Sequence, residues 1–326
     1  MNILVTGGAG YVGSIVSEKL IEQCHRVVVL DNLSQGHRSA VPPGADFVLA
    51  DLGDLHTLET LFQQYKIEAV MHMAAETVVE YAASDPQRFF QNNVAGGLNL
   101  LDGMLKHQVR KIVFASSAAV YGESGNTPLE EDATKTPLNA YGDSKLMFES
   151  ILARYGKAYG IKHISLRYFN TAGATEHLGE DHRPETHLIP NVLRAALKGN
   201  SPVNVFGTDH ATADGTCVRD FIHVEDIARA HILALEKIEE FAGRAYNLGN
   251  QRGYSVLEVV NKAREVTGVD IPLKLSNRRP GDPAVLVASS TRARQDLGWE
   301  PELSRLEDTI KSAWDWMQKH PNGYGS

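Results

Sequence analysis

The stretch TGGAGYVGS, residues 6–14, decides the fold. It follows a short apolar run, ILVTG (3–7), and leads into apolar residues at helical spacing. Within it, Gly8, Gly10 and Gly13 form the pattern G-x-G-x-x-G. In a strand–turn–helix context, such glycines let the backbone approach a pyrophosphate, whose charge meets the helix N-terminus. The stretch therefore predicts the first βα unit of a dinucleotide-binding fold.

An acid at the end of the second predicted strand refines this expectation. Asp31 closes RVVVL (26–30) and lies 18 residues after Gly13. A carboxylate there can bond the adenosine ribose hydroxyls, whereas the 2′-phosphate of NADP would be repelled. We therefore expect NAD as the cofactor.

Apolar runs alternate with helical patterns through the first half of the chain. The apolar strands do not alternate with polar residues, which is typical of a parallel sheet covered on both faces. The prediction is an α/β, doubly wound, Rossmann-type sheet. Strands are expected at 3–7, 26–30, 46–50, 69–75, 111–117 and 163–169, and long helices at about 87–107 and 141–159.

The regular alternation of apolar runs and helical patterns ends after about residue 173. A long polar stretch, TAGATEHLGEDHRPETH, is followed by a helix near 188–198, a strand at 203–207, a strong amphipathic helix from Val224 and a strand around AYNLG. We expect residues 1–173 to bind the cofactor and residues 174–326 to form a smaller, mixed α/β substrate domain. Some late segments are expected to pack back on the first domain.

Composition excludes several classes of protein. A net charge of −8 argues against nucleic acid or an anionic membrane as a partner. Only Cys24 and Cys217 are present, which suits a reducing cytoplasm, and neither a signal peptide nor a run of about 20 apolar residues is found. His182 and His187 share the polar loop, but no spacing among the 13 histidines resembles a metal site, so no metal is expected.

A tyrosine–lysine pair is the first candidate for catalysis. Tyr141 and Lys145 are four residues apart in LNAYGDSKLMFE (138–149), so they share one face of the predicted helix. A neighbouring positive charge favours a phenolate and lowers the pKa of a tyrosine. The pair alone is more typical of a solvated surface, and only the adjoining dinucleotide site makes a general base the better interpretation.

Six segments in order resemble the extended short-chain dehydrogenase/reductase family, above all its UDP-glucose 4-epimerases: TGGAGYVGS, FASSAAVYG, YGDSK, RYFNTAGA, VRDFIHVED and RRPGDP. The resemblance covers nearly the whole chain. It implies that Tyr141 and Lys145 are the Y-x-x-x-K pair and that Ser117 is the third catalytic residue. Interconversion of UDP-glucose and UDP-galactose, through transient oxidation at sugar carbon 4, is the activity it implies.

The resemblance also implies a cofactor site and a substrate site. The cofactor residues would be Gly7, Gly10, Tyr11, Val12, Gly13, Asp31, Asn32, Asp51, Leu52, Met73, Ala74, Ala75, Asn93, Ser116, Tyr141, Lys145 and Tyr168. The UDP-sugar would contact Ser117, Tyr141, Asn170, Leu188, Phe206, Arg219, Arg279 and Asp282. One departure is Thr77, where many epimerases have a lysine that contacts the cofactor phosphates. Glu76 and Glu80 have no role in this comparison.

Two alanines indicate that the expected reaction differs from the dehydration carried out by related enzymes. Sugar-nucleotide dehydratases place acids after the catalytic hydroxyl residue, whereas here Ala118 and Ala119 follow Ser117. Alanine cannot transfer a proton, so elimination of water lacks its acid and base.

Alternatives remain open at this point. The substrate could be UDP-N-acetylglucosamine or a UDP-pentose, since Leu286 is intermediate in size at a position that limits the sugar's 2-substituent. A nucleotide-sugar decarboxylase or reductase, or a redox-sensing binding protein, are further alternatives. Related enzymes are often homodimers paired through two helices of the first domain, so a homodimer is expected.

Overall fold

The computed structural model describes residues 1–123, 127–199, 201–278 and 283–325. The strands within these residues are β1 (Asn2–Thr6), β2 (Arg26–Asp31), β3 (Asp46–Leu49), β4 (Ala69–His72), β5 (Lys111–Ser117), β6 (Lys162–Tyr168), β7 (Asn170–Ala172), β8 (Val203–Phe206), β9 (Val218–His223), β10 (Arg244–Leu248), β11 (Gly253–Ser255), β12 (Leu273–Ser276) and β13 (Val285–Leu286).

The α-helices in the same residues are α1 (Tyr11–Glu22), α2 (Leu55–Tyr65), α3 (Pro86–Phe89), α4 (Gly96–Lys106), α5 (Ala140–Tyr159), α6 (Leu188–Lys198), α7 (Val224–Glu236), α8 (Ile238–Phe241), α9 (Val256–Thr267), α10 (Thr291–Leu297) and α11 (Leu306–Lys319). None of them has the length and apolar character needed to cross a lipid bilayer.

A seven-stranded sheet with the order β10-β6-β5-β4-β1-β2-β3 forms the larger part of the molecule. All its neighbouring strands pair in parallel, and helices cover both faces. Ile15 of α1 and Ile227 of α7 belong to the core on one face, whereas Leu58 of α2, Leu100 of α4 and Phe148 of α5 belong to the core on the other. The predicted doubly wound α/β fold is confirmed.

The later part of the chain builds two small sheets. One has the order β11-β9-β13, with β7 also paired to β9, and the other pairs β12 with β8. A separate core joins α6, α9 and α11 through Val192, Val259 and Ile310, all with no exposed surface. One late strand leaves this region: β10 pairs in parallel with β6 at the edge of the large sheet.

One expected helix is not uniform. The pattern at 87–107 forms α3, then a π-helical segment at Phe90–Ala95, then α4. Such a wider turn inside a helix often accompanies a functional site. Here it carries Asn93, whose contacts are described below.

Candidate active site

A cavity of about 1150 Å³ opens beyond the carboxyl ends of the large sheet's strands, between that sheet and the small sheets. Ligands of open α/β sheets bind in this position. It is lined by most of the residues expected at the two sites: Gly7, Gly10, Tyr11, Val12, Gly13, Asp31, Asn32, Asp51, Leu52, Met73, Ala74, Ala75, Ser116, Ser117, Tyr141, Lys145, Tyr168, Asn170, Leu188, Phe206 and Arg219. Arg279 and Asp282 lie outside the described residues.

The glycine turn is shaped by close backbone contacts. Gly7 has φ +71°, and a Cβ on it would lie 2.6 Å from the backbone nitrogen of Ala74. A Cβ on Gly13 would lie 2.1 Å from the carbonyl oxygen of Gly7. Side chains at these positions would therefore force the turn open.

The turn delivers the N-terminus of α1 to the cavity. Gly10 is the N-cap and offers no side chain to the first-turn amides, and no acid occurs in that turn. Free amides and the helix dipole together attract a negatively charged group. These features fit the pyrophosphate of a dinucleotide.

Asp31 is fixed by the backbone at the end of β2. Its Oδ2 accepts a hydrogen bond from the Ala9 amide at 3.0 Å, and its Oδ1 accepts one from the Leu33 amide at 2.8 Å. Burial raises the pKa of Asp31, and these two hydrogen bonds partly oppose that rise. The carboxylate therefore stands beside the glycine turn in a fixed orientation, as a ribose ligand requires.

Two local features bring Tyr141 to Ser117. Asn139 caps α5 by accepting a hydrogen bond from the Gly142 amide at 3.0 Å. A Cβ on Gly142 would lie 2.5 Å from the Ala119 carbonyl oxygen, so glycine allows α5 to approach the turn after β5. As a result Ser117 lies near the Tyr141 hydroxyl and acts to lower the pKa of Tyr141.

Lys145 lies beneath this pair and is 3% exposed. Its Nζ donates a hydrogen bond to the Ala115 carbonyl at 2.8 Å and lies 5.7 Å from the centre of the Tyr141 ring. Burial lowers the pKa of Lys145 to about 7, and Glu149 partly opposes that fall.

The protein residues alone do not produce the expected lowering of the pKa of Tyr141 by Lys145. Burial raises the pKa of Tyr141, and the interaction with Ser117 only partly opposes the rise. Desolvation disfavours every charged form, so it acts against the phenolate and against the ammonium that would stabilise it. At neutral pH the protein by itself holds Tyr141 as a phenol.

An ion pair behind Lys145 was not found by sequence reasoning. Arg167 donates to Glu149 through Nε at 2.9 Å and through a second nitrogen at 2.6 Å, and both side chains are largely buried. Ser116 Oγ donates to the same carboxylate at 2.6 Å. The signal in the sequence is the spacing of Glu149, which lies four residues beyond Lys145 on the same helix.

Asn93 lies behind the cavity wall and does not line it. Its side chain accepts from the Glu76 amide at 2.7 Å and donates to the Glu76 carbonyl at 3.1 Å and to Ser144 Oγ at 2.9 Å. It thus holds the segment after β4 against α5. Glu76, which had no role in the sequence argument, forms an ion pair with Arg88 and accepts the amides of Thr77 and Val78.

The opposite wall carries the expected substrate residues. Asn170 donates to the Asp220 carbonyl at 3.2 Å, and Arg219 donates to the Val218 carbonyl at 2.7 Å. Leu188 begins α6 and Phe206 ends β8, and both face the same cavity. Groups from four separate elements thus surround the space beyond Tyr141.

The structure corrects the expectation that the histidines form no cluster. His182 and His187 come together with Glu180 and Glu185, and their potential ligand atoms all lie within 4.8 Å of one another. The spacing was unrecognised because the polar loop folds back on itself.

Comparison with known proteins supports the same interpretation. A profile of the NAD-dependent epimerase/dehydratase family matches residues 3–249. The chain is 46% identical over 330 residues to the UDP-glucose 4-epimerase of Lacticaseibacillus casei, covering 100% of this chain and 99% of that protein.

Two similar solved structures contain bound ligands. The UDP-glucose 4-epimerase of Brucella ovis, in complex with NAD, is 42% identical with a TM-score of 0.92 and covers 96% of this chain and 97% of its own. That of Bifidobacterium longum, with NAD⁺ and UDP, is 36% identical with a TM-score of 0.94 and covers 99% and 100%.

Proposed function

The chain belongs to the NAD-dependent epimerase/dehydratase family, and we propose that it interconverts UDP-glucose and UDP-galactose by inverting carbon 4 of the hexose. One observation carries the proposal. Tyr141 and Ser117 line the same cavity as the glycine turn, and Lys145 Nζ lies 5.7 Å from the centre of the Tyr141 ring.

The cofactor is NAD, and this chain's residues fit it. Gly7 and Gly13 leave room for the pyrophosphate, the N-terminus of α1 supplies amides, and Asp31 supplies a ribose ligand. NAD⁺, when bound, would supply the acceptor for the hydride that leaves carbon 4 of the sugar, and its reduced form would supply the hydride that returns. The other residues expected to contact it remain part of this proposal, including Asn93, which would act by holding the Glu76 segment.

Tyr141 is the proton carrier in this proposal. It takes the proton of the sugar's 4-hydroxyl, directly or through Ser117, and gives it back after the sugar has turned over. Because burial raises the pKa of Tyr141, the phenolate must be favoured during turnover by positive charge. Lys145 lies close enough to supply part of that charge.

The nucleotide must stay bound while the sugar turns. Arg219 forms part of the substrate wall, and a guanidinium can bond phosphate oxygens in pairs. Asn170, Leu188 and Phe206 complete the described part of that wall. The roles of Arg279, as a second phosphate ligand, and Asp282, as a ribose ligand, rest on the family resemblance.

The cavity wall next to Ser117 argues against dehydration. Ala118 and Ala119 line the cavity where an elimination would need an acid and a base. A second candidate is an epimerase of another UDP-sugar. Leu286 also lines the cavity, and a side chain of its intermediate size leaves some space around the 2-substituent of the sugar.

We also infer a cytoplasmic homodimer and a division of the chain at residue 173. The exposed free thiol of Cys24 suits a reducing compartment. Met147 and Tyr159 of α5 are 48% and 53% exposed, which suits a helix that pairs with a second copy. Light scattering on the Met147→Glu variant tests this pairing, since a buried charge at the interface would yield monomers.

The proposed reaction is tested with UDP-galactose and the purified protein, with and without added NAD. Formation of UDP-glucose, measured by chromatography, supports the proposal. Recovery of unchanged UDP-galactose under both conditions would remove it. UDP-N-acetylgalactosamine and UDP-arabinose, assayed in parallel, would show whether the second candidate is correct.

A further inference from the structure

The polar loop between β7 and α6 gathers two carboxylates and two imidazoles at the side of the cavity. They are Glu180, His182, Glu185 and His187, and we refer to them as the loop tetrad. The proposed epimerisation assigns them no task. Each residue can place one ligand atom within 4.8 Å of those of the other three.

The tetrad is held in a defined geometry. Glu180 Oε1 lies 3.0 Å from His182 Nδ1 and 2.7 Å from His187 Nδ1. Glu185 Oε1 accepts the amides of Thr186 and His187 at 2.8 and 2.9 Å. The carboxyl side chains of Glu180 and Glu185 are 6% and 2% exposed, so water screens neither of them effectively.

One oxygen of the tetrad lacks a donor. Among the residues that the structure describes, the buried Glu185 Oε2 has no hydrogen-bond partner. The guanidinium of Arg194 forms a long ion pair with it at 3.8 Å, beyond hydrogen-bonding distance. A buried carboxylate oxygen without a donor is unfavourable, and a bound cation is one of the few groups that can compensate for it.

We propose that Glu180, His182, Glu185 and His187 bind one divalent transition-metal ion, with Zn²⁺ the best match. Two imidazoles and two carboxylates suit zinc, cobalt or nickel, whereas Mg²⁺ and Ca²⁺ prefer oxygen ligands throughout. Four protein ligands correspond to a closed, structural site. Metal ligands must be deprotonated at the coordinating atom, so the ion would bind more tightly as the pH rises.

The position of the tetrad indicates what such an ion would do. The ring of His182 meets the ring of Tyr11, in the glycine turn, edge-on with centres 6.3 Å apart. His187 is the N-cap of α6, whose first residue, Leu188, lines the substrate wall. The ion would therefore join the cofactor side of the cavity to its substrate side without touching the reacting atoms.

The competing explanation is that the four side chains only satisfy one another as ion pairs. Metal content distinguishes the two, and it does so independently of epimerase activity. Protein freed of metal with a chelator is dialysed against Zn²⁺, Co²⁺ or Mg²⁺ in separate arms, and the bound metal is measured by mass spectrometry. The visible spectrum of the Co²⁺ form reports its coordination number.

Two variants and a matched control complete the experiment. Glu185→Gln keeps the shape of the side chain, and His182→Ala removes a ring. His177→Ala removes an exposed histidine of the same loop that lies outside the tetrad. Circular dichroism of each variant shows whether it folds, and the conservative Glu185→Gln keeps the test decisive if His182→Ala does not.

The proposal expects about one Zn²⁺ or Co²⁺ per chain in the wild type and in His177→Ala, and no Mg²⁺. Loss of a ligand should weaken binding by more than about 100-fold, because even the partners of metal ligands are worth 10- to 100-fold. Zn²⁺ should also raise the Tm of the wild type and leave that of Glu185→Gln unchanged. Substoichiometric metal in the wild type, or equal binding by Glu185→Gln and the wild type, would overturn it.

Discussion

Replacing Glu149 with Gln should destabilise the protein and change its pH profile together. The substitution leaves the guanidinium of Arg167, whose side chain is 4% exposed, without its counterion. Removing one partner of a buried ion pair costs about 3–5 kcal/mol. With an unfolding entropy of about 2.1 cal/mol/K per residue, the 326-residue chain should lose roughly 4–7 °C in Tm.

The pH profile follows from the effect of Glu149 on Lys145. Burial lowers the pKa of Lys145 to about 7, and the charge of Glu149 keeps it from falling further. If the ammonium form supports the phenolate, activity declines as the pH rises through the pKa of Lys145. In Glu149→Gln that decline should move to lower pH, which a purely structural role would not produce.

Scanning calorimetry and kcat/KM measured across pH test both effects. A matched control is Glu239→Gln. This variant removes the exposed ion pairs of Glu239 with Lys111 and Lys162, which lie at the starts of β5 and β6, far from Arg167. It should lower the free energy of unfolding by at most about 1 kcal/mol. The Tm of the double variant Glu149→Met/Arg167→Met should fall less than that of Glu149→Gln, because the double variant leaves no buried charge unpaired. A Tm within about 1 °C of wild type, or an unshifted pH profile, would refute the respective half of this reasoning.

Three further predictions concern the turn and the catalytic pair. Tyr141→Phe should lower kcat by about 10²–10⁴-fold while the NAD content, read from absorbance, stays at the wild-type level; near-native turnover would contradict the proton role. Gly13→Ala should be purified with much less NAD than Gly10→Ala, because the added Cβ would meet the Gly7 carbonyl oxygen at 2.1 Å in the first and 3.3 Å in the second. In the wild type the pKa of Lys145 is about 7 when folded and about 10.4 when unfolded, so the unfolded chain binds one more proton between these values and stability rises with pH there. Lys145→Met should lose this increment in urea titrations, and parallel slopes in the two proteins would be evidence against a lowered pKa of Lys145 in the folded state.

The local signals in the sequence were sufficient for the first six strands of the large sheet, whereas the position of Arg244–Leu248 as its seventh strand was not specified. Strands such as Lys111–Ser117 are runs of apolar residues bounded by clear breaks, and the glycine turn fixes where the first helix begins. The substrate half was less predictable, since the short strands Asn170–Ala172 and Val285–Leu286 carry little pattern of their own and are stabilised by pairing with Val218–His223. The π-helical segment was also missed, because its residues follow an ordinary helical pattern.

Within the site, motifs identified the groups that face the cavity but not those that hold them. Glu149 and Arg167 lie 18 residues apart, on a helix and on the following strand, and only the fold joins them. The loop tetrad shows the same limit over a shorter range. Its ligand spacings of two, three and two residues are uninformative until the loop folds back and places four side chains together.

The electrostatics of the catalytic pair explain why these supporting groups matter. Burial raises the pKa of Tyr141 and lowers that of Lys145 to about 7, so at neutral pH the protein alone keeps Tyr141 neutral and leaves Lys145 only partly charged. A buried base of this kind becomes active only when further positive charge enters the cavity, which in this proposal is the oxidised nicotinamide. Proton removal at the 4-hydroxyl is then favoured only beside an oxidised cofactor, so the protonation state of Tyr141 and the redox state of the cofactor should change together. The family motif supplies the two residues, and the burial produced by the surrounding fold couples them to the cofactor.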